Sequence, residues 1–194
     1  ANDIPAVHFK GAMTLPRELK LVHNGTHLIL ANPPVEEVNT LRGKVKKIDA
    51  FTIDKSHTID NLSKGNAGAF EIEMDIETGN ASAFNVVLSN KKGERTVFSF
   101  DLEKGIFGVD RSNSGIVDFN NKFADKISEA PLTKKKSYNI RLFVDKASTE
   151  CFIDNGELVQ TNSVFPTEPY NSLSFESGEE ITISSMNIYP IQNK

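Results

Sequence analysis

The side chains that could do chemistry in this 194-residue sequence are scattered rather than gathered into one motif. His23 and His27 lie four residues apart, a spacing that would suit a metal ion if the segment were a helix. They flank Asn24-Gly25, however, which is a strong turn signal and places the two histidines across a β-hairpin. We therefore predict no metal site at this pair.

Cys151 is the single cysteine, so no internal disulfide can form. It follows Glu150 in the strand-like run 149–153, and no nucleophile motif surrounds it. We interpret it as a small buried core residue rather than a nucleophile. The sequence holds 26 Asp and Glu residues, so carboxylates will lie near one another by chance and are weak evidence for acid–base catalysis.

The charge balance argues against nucleic acid as a partner. The formal net charge is −4, so no basic field draws in phosphate groups. The one basic run, Lys134-Lys135-Lys136, precedes a predicted strand and is interpreted as a solvated turn. No stretch approaches the roughly 20 apolar residues that span a bilayer, so we expect no membrane partner.

The elements that must position any site are short strands separated by turn signals such as Asp154-Asn155-Gly156. Phenylalanine often falls on alternating strand positions, which is typical of core filling. Many short alternating strands with close turns predict an all-β fold, an antiparallel sandwich of two sheets. The predicted strands cover residues 45–53, 70–76, 84–88, 96–101, 105–110, 138–144, 149–153, 158–164, 172–176 and 181–190.

The N-terminal part differs from the rest of the chain. Residues 13–31 read as a β-hairpin around Asn24-Gly25, and residues 33–43 read as a short helix with prolines in its first turn and Gly43 at its end. Its apolar residues Val35, Val38 and Leu41 share one face. We predict a linker helix over 33–43 between a small β region, 1–32, and a sandwich, 44–194.

Three stretches are similar to glycoside hydrolase family 32, the fructan hydrolases that include levanases, inulinases and invertases. They are MTLPREL at 13–19, the run 107–115 that contains Asp110-Arg111-Ser112, and the run 140–157 followed by Phe165-Pro166. The resemblance implies that residues 1–32 are the last strands of a catalytic β-propeller. It also implies that the sandwich is the C-terminal domain of such an enzyme, jelly-roll or concanavalin-like in architecture.

The family's chemistry needs two carboxylates that flank a fructosidic bond, one as nucleophile and one as acid. The resemblance places these groups on the propeller, in N-D-P-N-G, R-D-P and E-C motifs. Here Asp110-Arg111 reverses the R-D order, and Glu150-Cys151 lies inside the sandwich motif. We therefore predict no catalytic residue, no metal and no organic cofactor, and we expect the chain to be inactive alone. The parent enzyme is expected to be extracellular or periplasmic.

Two main roles remain open for the chain, and self-association into a homodimer is a further alternative. In the first role the sandwich packs on the propeller and stabilises it, with Arg17, Glu18 and Arg42 as interdomain or structural residues. The partner is then the catalytic propeller of the same polypeptide.

In the second role the sandwich binds fructan, such as levan or inulin, or sucrose. The candidate residues are Asp110, Arg111, Ser112 and Asp145. The chain has no tryptophan and only three tyrosines, so an aromatic platform for a sugar ring is poorly supplied. Under the structural alternative, Asp110, Arg111 and Asp145 would instead make turn and interdomain hydrogen bonds.

Overall fold

Strands dominate the computed structural model, which describes residues 3–6, 11–23, 25 and 27–192. In this part of the chain the strands are β1 Lys20–His23, β2 Leu28–Ala31, β3 Lys46–Ile48, β4 Phe51–Ile53, β5 Ser56–Asp60, β6 Phe70–Glu77, β7 Ala83–Ser89, β8 Arg95–Asp101, β9 Ile106–Asn113, β10 Ser128–Pro131, β11 Ser137–Val144, β12 Ser148–Ile153, β13 Leu158–Ser163, β14 Ser172–Ser177 and β15 Ile181–Pro190. A 3₁₀ helix spans Glu36–Leu41.

Two antiparallel sheets form the sandwich. One has six strands in the order β10-β9-β8-β7-β14-β5, and the other has the order β13-β12-β11-β6-β15-β3, with β4 also paired to β15. The hairpin of β1 and β2 forms a separate two-stranded sheet. The predicted all-β fold with an antiparallel sandwich is confirmed.

Alternation along the strands places the core between the sheets. In β6 the apolar side chains point inward and are at most 1% exposed, whereas the acids between them point outward. The inward residues are Phe70, Ile72, Met74 and Ile76. Aromatic rings fill the centre: the Phe100 ring lies 4.3 Å from that of Phe84 and 4.9 Å from that of Phe107.

Cys151 is part of this core, only 1% exposed on the inner face of β12. Burial raises the pKa of its thiol far above the ordinary value, so the thiolate that a nucleophile needs is disfavoured. This environment agrees with the interpretation of Cys151 as a core residue.

Three strand predictions differ from the structure. Residues 45–53 form two short strands, β3 and β4, which pair in succession with β15. The edge strands β5 and β10 were not predicted. The sequence of β5 is mostly polar, with only one buried residue, and β10 is short and ends in a proline. These two strands show no apolar–polar alternation of their own. They are held in the sheet by pairing with β14 and β9, which lie elsewhere in the sequence.

The predicted hairpin is present, and a shorter helix than predicted lies within residues 33–43. Strands β1 and β2 pair antiparallel, and Asn24 of the predicted Asn24-Gly25 turn lies outside the described residues. The linker helix is a six-residue 3₁₀ helix that ends at Arg42 in extended backbone. Gly43 therefore does not cap it; instead, a Cβ there would lie 3.1 Å from the carbonyl oxygen of Pro190.

Residues 11–23, 25 and 27–43 are called here the N-terminal segment, and its parts 15–17 and 32–42 contact the outer face of the seven-stranded sheet. Backbone hydrogen bonds hold the segment together, for example from Val35 N to Pro16 O at 3.0 Å. Others join it to the sandwich, as from Asn32 N to Gly156 O at 2.9 Å. Among the helices of the described residues, none is long and apolar enough to cross a bilayer.

Candidate interdomain interface

Outward-facing phenylalanines on the seven-stranded sheet begin the interface. Phe143 of β11 and Phe152 of β12 point away from the core, yet they are only 8% and 1% exposed. Their rings meet edge to face, with centroids 5.8 Å apart. Val38 of the 3₁₀ helix packs against both, and Leu15 and Val35 join the same cluster. Two of the three apolar residues predicted to share one face of the helix, Val35 and Val38, therefore lie in this cluster.

A carboxylate with no solvent exposure lies beside this cluster. Glu71 is an outward residue of β6, and Arg42 grips it with two parallel hydrogen bonds, Nε to Oε2 at 2.7 Å and Nη2 to Oε1 at 2.6 Å. Arg141 of β11 donates to the same Oε1 at 2.8 Å. Two-pronged contacts between arginine and carboxylate are strong and geometrically specific. Glu73 contacts both arginines.

The guanidinium of Arg42 is held from several sides. It lies 4.1 Å from the ring centroid of Tyr189, a cation–π contact on the last strand. Its hydrogen bonds to Glu71 raise the pKa of Arg42 above its usual value, against the opposing effect of burial. The guanidinium therefore stays charged wherever the protein is folded. Arg141 also donates to Asn39 Oδ1 at 3.0 Å, so this cluster binds the linker at two points.

A second carboxylate receives the segment nearer its start. Glu150 Oε1 accepts from the backbone N of Leu15 at 2.7 Å, and Oε2 accepts from Arg17 Nη2 at 2.7 Å. Thr161 of β13 donates to the same Oε2 at 3.1 Å. Arg17 also stacks over the ring of Phe152, 5.2 Å from its centroid. Both carboxylate oxygens of Glu150 are thus engaged in contacts that hold the N-terminal segment on the sheet.

Glu18 behaves differently from its neighbour Arg17. Its backbone N donates to Pro33 O at 2.9 Å, while its side chain pairs with Lys20 at 2.8 Å and stays half-exposed. The side chain of Arg17, in contrast, contacts Glu150 of the sandwich. Of the three residues predicted to join domains, Arg17 and Arg42 reach the sandwich through their side chains.

A tight turn completes the interface. Asp154, Asn155 and Gly156 all have positive φ, at 51°, 55° and 81°. A Cβ on Gly156 would lie 2.5 Å from the carbonyl carbon of Asn32, so glycine permits the close approach of the two backbones. Lys135 reinforces the turn through an ion pair with Asp154 at 2.7 Å.

The candidate sugar residues near β9 make contacts within the fold. Asp110 Oδ1 accepts from the backbone N of Ser112 at 2.8 Å. Arg111 donates to Ser163 O and to Phe123 O, both at 2.9 Å, and lies 4.7 Å from the ring centroid of Phe123. Burial lowers the pKa of its guanidinium. These three residues thus fasten a turn and a loop, the geometry of the structural alternative.

Asp145 lies elsewhere, in the turn between β11 and β12. Its Oδ1 accepts from the backbone N of Lys146 at 2.7 Å, and its own backbone N donates to Ser148 O at 2.9 Å. In the described part of the chain no hydrogen bond or ion pair joins Asp145 to Arg111. The four predicted sugar residues therefore do not converge on one cluster of interacting side chains.

The central carboxylates, Glu71, Glu73 and Glu150, were missed by sequence reasoning, as was Arg141. The signal available was weak: acids alternate with apolar residues in β6, so they must face outward. What marks Glu71 as an anchor is its arginine partners, which are 29 and 70 residues away along the chain. No group of three or more potential metal ligands occurs within residues 3–6, 11–23, 25 and 27–192.

Comparisons with known proteins identify the family that has this architecture. A family model described as "Glycosyl hydrolases family 32 C terminal" matches residues 37–190. The chain belongs to this family. The resemblance seen in the sequence is therefore confirmed, and the sandwich is a family 32 C-terminal domain.

Its relatives are longer proteins. A levanase from Bacillus subtilis is 30% identical over 195 residues, covering 99% of this chain and 29% of the levanase. An extracellular exo-inulinase from Aspergillus awamori is 28% identical over 85% of this chain and 31% of its own length. The chain thus spans less than a third of these curated relatives, in which the matched region is part of a longer polypeptide.

Solved structures agree with the sequence comparison. The crystal structure of an exo-inulinase from Aspergillus awamori superposes with a TM-score of 0.81 at 25% identity, covering 98% of this chain and 38% of that one. A sucrose-6-phosphate hydrolase from Lactobacillus gasseri shares the fold, with a TM-score of 0.67 at 19% identity over 91% of this chain and 33% of that one.

Proposed function

We propose that this chain is the non-catalytic C-terminal module of a fructan hydrolase, and that it stabilises a catalytic β-propeller that precedes it in the same polypeptide. The observation that carries the proposal is the buried carboxylate Glu71, held by Arg42 of the N-terminal segment and Arg141 of the sandwich. The segment that leads back towards a preceding domain is thereby locked onto the module.

The energetics of buried charge make this lock stiff. Removing one partner of a buried ion pair leaves an uncompensated charge and costs roughly 3–5 kcal/mol. Lifting the N-terminal segment would strip Arg42 from Glu71 and Arg17 from Glu150 at once. It would also expose Phe143 and Phe152 to water. Joined domains move relative to one another by default, and this attachment opposes such motion.

Exposed leucines on the β1–β2 hairpin also support the proposal. Its leucines Leu19, Leu21, Leu28 and Leu30 are 54–69% exposed and share one face in the β1–β2 register. A lone two-stranded hairpin is marginal in water, and contiguous apolar surface marks an interaction site. We take residues 1–32 as the last strands of the propeller, 33–43 as the linker and 44–194 as the sandwich. The rest of the propeller then covers the leucines.

The names of the relatives define the proposed chemistry. They are a levanase, an extracellular exo-inulinase and a sucrose-6-phosphate hydrolase. The parent enzyme would accordingly hydrolyse β-fructosidic linkages in levan, inulin or sucrose, outside the cell or in the periplasm. Both catalytic carboxylates would belong to the propeller.

The test of the structural role uses the polypeptide that carries this chain behind its catalytic domain. Arg42→Ala should leave the rate of fructose release at low temperature unchanged and shorten the half-life of activity on heating. The matched control is Arg95→Ala, which removes an exposed arginine on the six-stranded sheet. Equal half-lives for the two variants would contradict the proposal.

The test of the non-catalytic role uses the chain alone. Incubated with levan, inulin or sucrose, the purified 194-residue chain should release no fructose above the buffer blank. Activity that co-purifies with the chain through a final size-exclusion step, in proportion to its amount, would overturn this part of the proposal.

A further inference from the structure

Two cavities meet at the turn between β11 and β12. The first, called here the loop cavity, has a volume of about 280 Å³ and lies between this turn and the loops at 67–68 and 166–170. The second, called the segment cavity, also has a volume of about 280 Å³ and lies between the sheet and the N-terminal segment. Asp145 lines both cavities, so the two adjoin at this residue. The two cavities together are called here the depression, and the turn residues Asp145 and Lys146 are called its ridge.

The ridge carries polar groups that the fold leaves available. Asp145 and Lys146 are exposed neighbours, and Asp145 uses Oδ1 to accept from the backbone N of Lys146. Within the described residues, Asp145 Oδ2 and Lys146 Nζ make no hydrogen bond. An acceptor beside a donor suits neighbouring hydroxyl groups, and the opposite charges give no net preference for an ionic ligand.

The far wall of the loop cavity is rigid. Glu94 accepts from the backbone N of Thr167 at 2.8 Å and from Asn90 Nδ2 at 2.6 Å, and Asn90 also donates to Glu168 O at 2.8 Å. On the adjoining loop, Gly68 packs so tightly that a Cβ would lie 2.8 Å from Pro169 Cβ. A pre-formed wall lowers the ordering cost of binding.

The depression also has apolar surface for the carbon-bound hydrogens of a sugar. Pro166 and Pro169 line the loop cavity, and the exposed Met13 lines the segment cavity. Tyr170 turns its hydroxyl inward to Thr96 at 2.8 Å, so it is a buried structural residue and not a stacking platform. The site thus fits a flexible, non-aromatic contact with a neutral polyhydroxyl chain.

We propose that Asp145 and Lys146 form a fructan-binding subsite, with one sugar unit in the loop cavity and the chain continuing towards the segment cavity. The choice of fructan among neutral polysaccharides rests on the proposed function. Of the four sugar residues predicted from the sequence, the subsite keeps Asp145 alone. Asp110, Arg111 and Ser112 are not part of the subsite because they line neither of the two cavities.

The experiment is affinity electrophoresis of the 194-residue chain through native gels that contain levan, inulin or dextran. Levan or inulin should retard the chain, and dextran should not. The double variant Asp145→Ala, Lys146→Ala should bind the retarding fructan about tenfold more weakly, because hydrogen bonds to charged groups are lost. The matched control is Asp54→Ala, Lys55→Ala, an adjacent exposed pair in another turn.

A second variant separates binding from folding. Asp145→Asn keeps an oxygen that can accept from Lys146 N and removes the carboxylate charge, so its thermal unfolding should match the wild type while its retardation falls. The subsite is overturned if neither fructan retards the chain, if dextran retards it equally, or if the double variant and the control migrate alike. None of these results bears on the heat-inactivation test of the structural role, so the two proposals fail separately.

Discussion

The outer faces of the two sheets follow the same alternation and yet are built differently. On the seven-stranded sheet, the outward residue Glu71 is fully buried and forms ion pairs with two arginines. On the six-stranded sheet, outward polar residues stay partly or fully exposed and bond to one another, as in Thr58 with Ser174 at 2.9 Å and Ser172 with Asp60 at 2.6 Å. A sheet face that pairs its own polar groups needs no cover, whereas one that buries carboxylates requires the N-terminal segment.

Strand position alone therefore does not decide what an outward residue contributes. Exposed hydrogen bonds between hydroxyl groups and single exposed ion pairs add little to stability, because water competes for each partner. A carboxylate that is buried beneath another segment of the protein is, in contrast, costly to leave unpaired. The difference assigns the attachment surface to one face of the sandwich.

Replacing Glu71 should give the largest loss of stability and so test the difference between the two sheet faces most directly. Glu71→Ala leaves Arg42 and Arg141 without their shared carboxylate, so the free energy of unfolding should fall by about 3–5 kcal/mol. Glu176→Ala, at an exposed outward position of the six-stranded sheet, should change it by less than about 0.5 kcal/mol. Urea unfolding of both variants measures the contrast, and similar losses would show that the two faces do not differ.

The backbone contact at Gly156 should give the next largest effect. Gly156→Ala combines a positive φ with a Cβ 2.5 Å from Asn32, so the free energy of unfolding should fall by more than about 1 kcal/mol. Amide hydrogen exchange at Asn32 should quicken as its bond to Gly156 O weakens. Gly178→Ala is the control, since open space surrounds that glycine and its φ is not positive. Unchanged exchange at Asn32 would contradict the role given to the turn.

Alkaline pH should produce the smallest and most selective change. Burial raises the pKa of Tyr170 to about 12 from its ordinary value of 10.0. Its neutral hydroxyl therefore stabilises the fold below pH 10, and this stability is lost as the pH rises towards 12. Tyr170→Phe should flatten that part of a plot of unfolding midpoint against pH. Arg42 stays charged throughout this range, because its hydrogen bonds to Glu71 raise the pKa of its guanidinium. An equally steep plot for the variant would remove Tyr170 as the cause.

The sequence was a good guide to elements and a poor guide to partners. The alternation in residues 70–76 correctly puts Phe70 in the core and Glu71 outside, because side-chain direction is a local property of a strand. That Glu71 is buried depends on Arg42, which reaches it only after the linker crosses the sheet. The role of Arg111 was hard to predict for the same reason. Its partners Ser163, at the end of β13, and Phe123, in a loop, are distant in sequence, and no local pattern indicates that they lie beside it.

The shared carboxylate Glu71 also defines which piece of this protein can be exchanged between enzymes. A graft that began at residue 44 would bring Glu71 and Glu150 without Arg42 and Arg17, so Glu71 would keep only Arg141 of its two arginine partners and Glu150 would lose its ion pair. The family match itself begins at residue 37 and so leaves out Arg17. The unit that recombination can move intact therefore starts ahead of Leu15, so its physical boundary lies upstream of the one that sequence similarity marks.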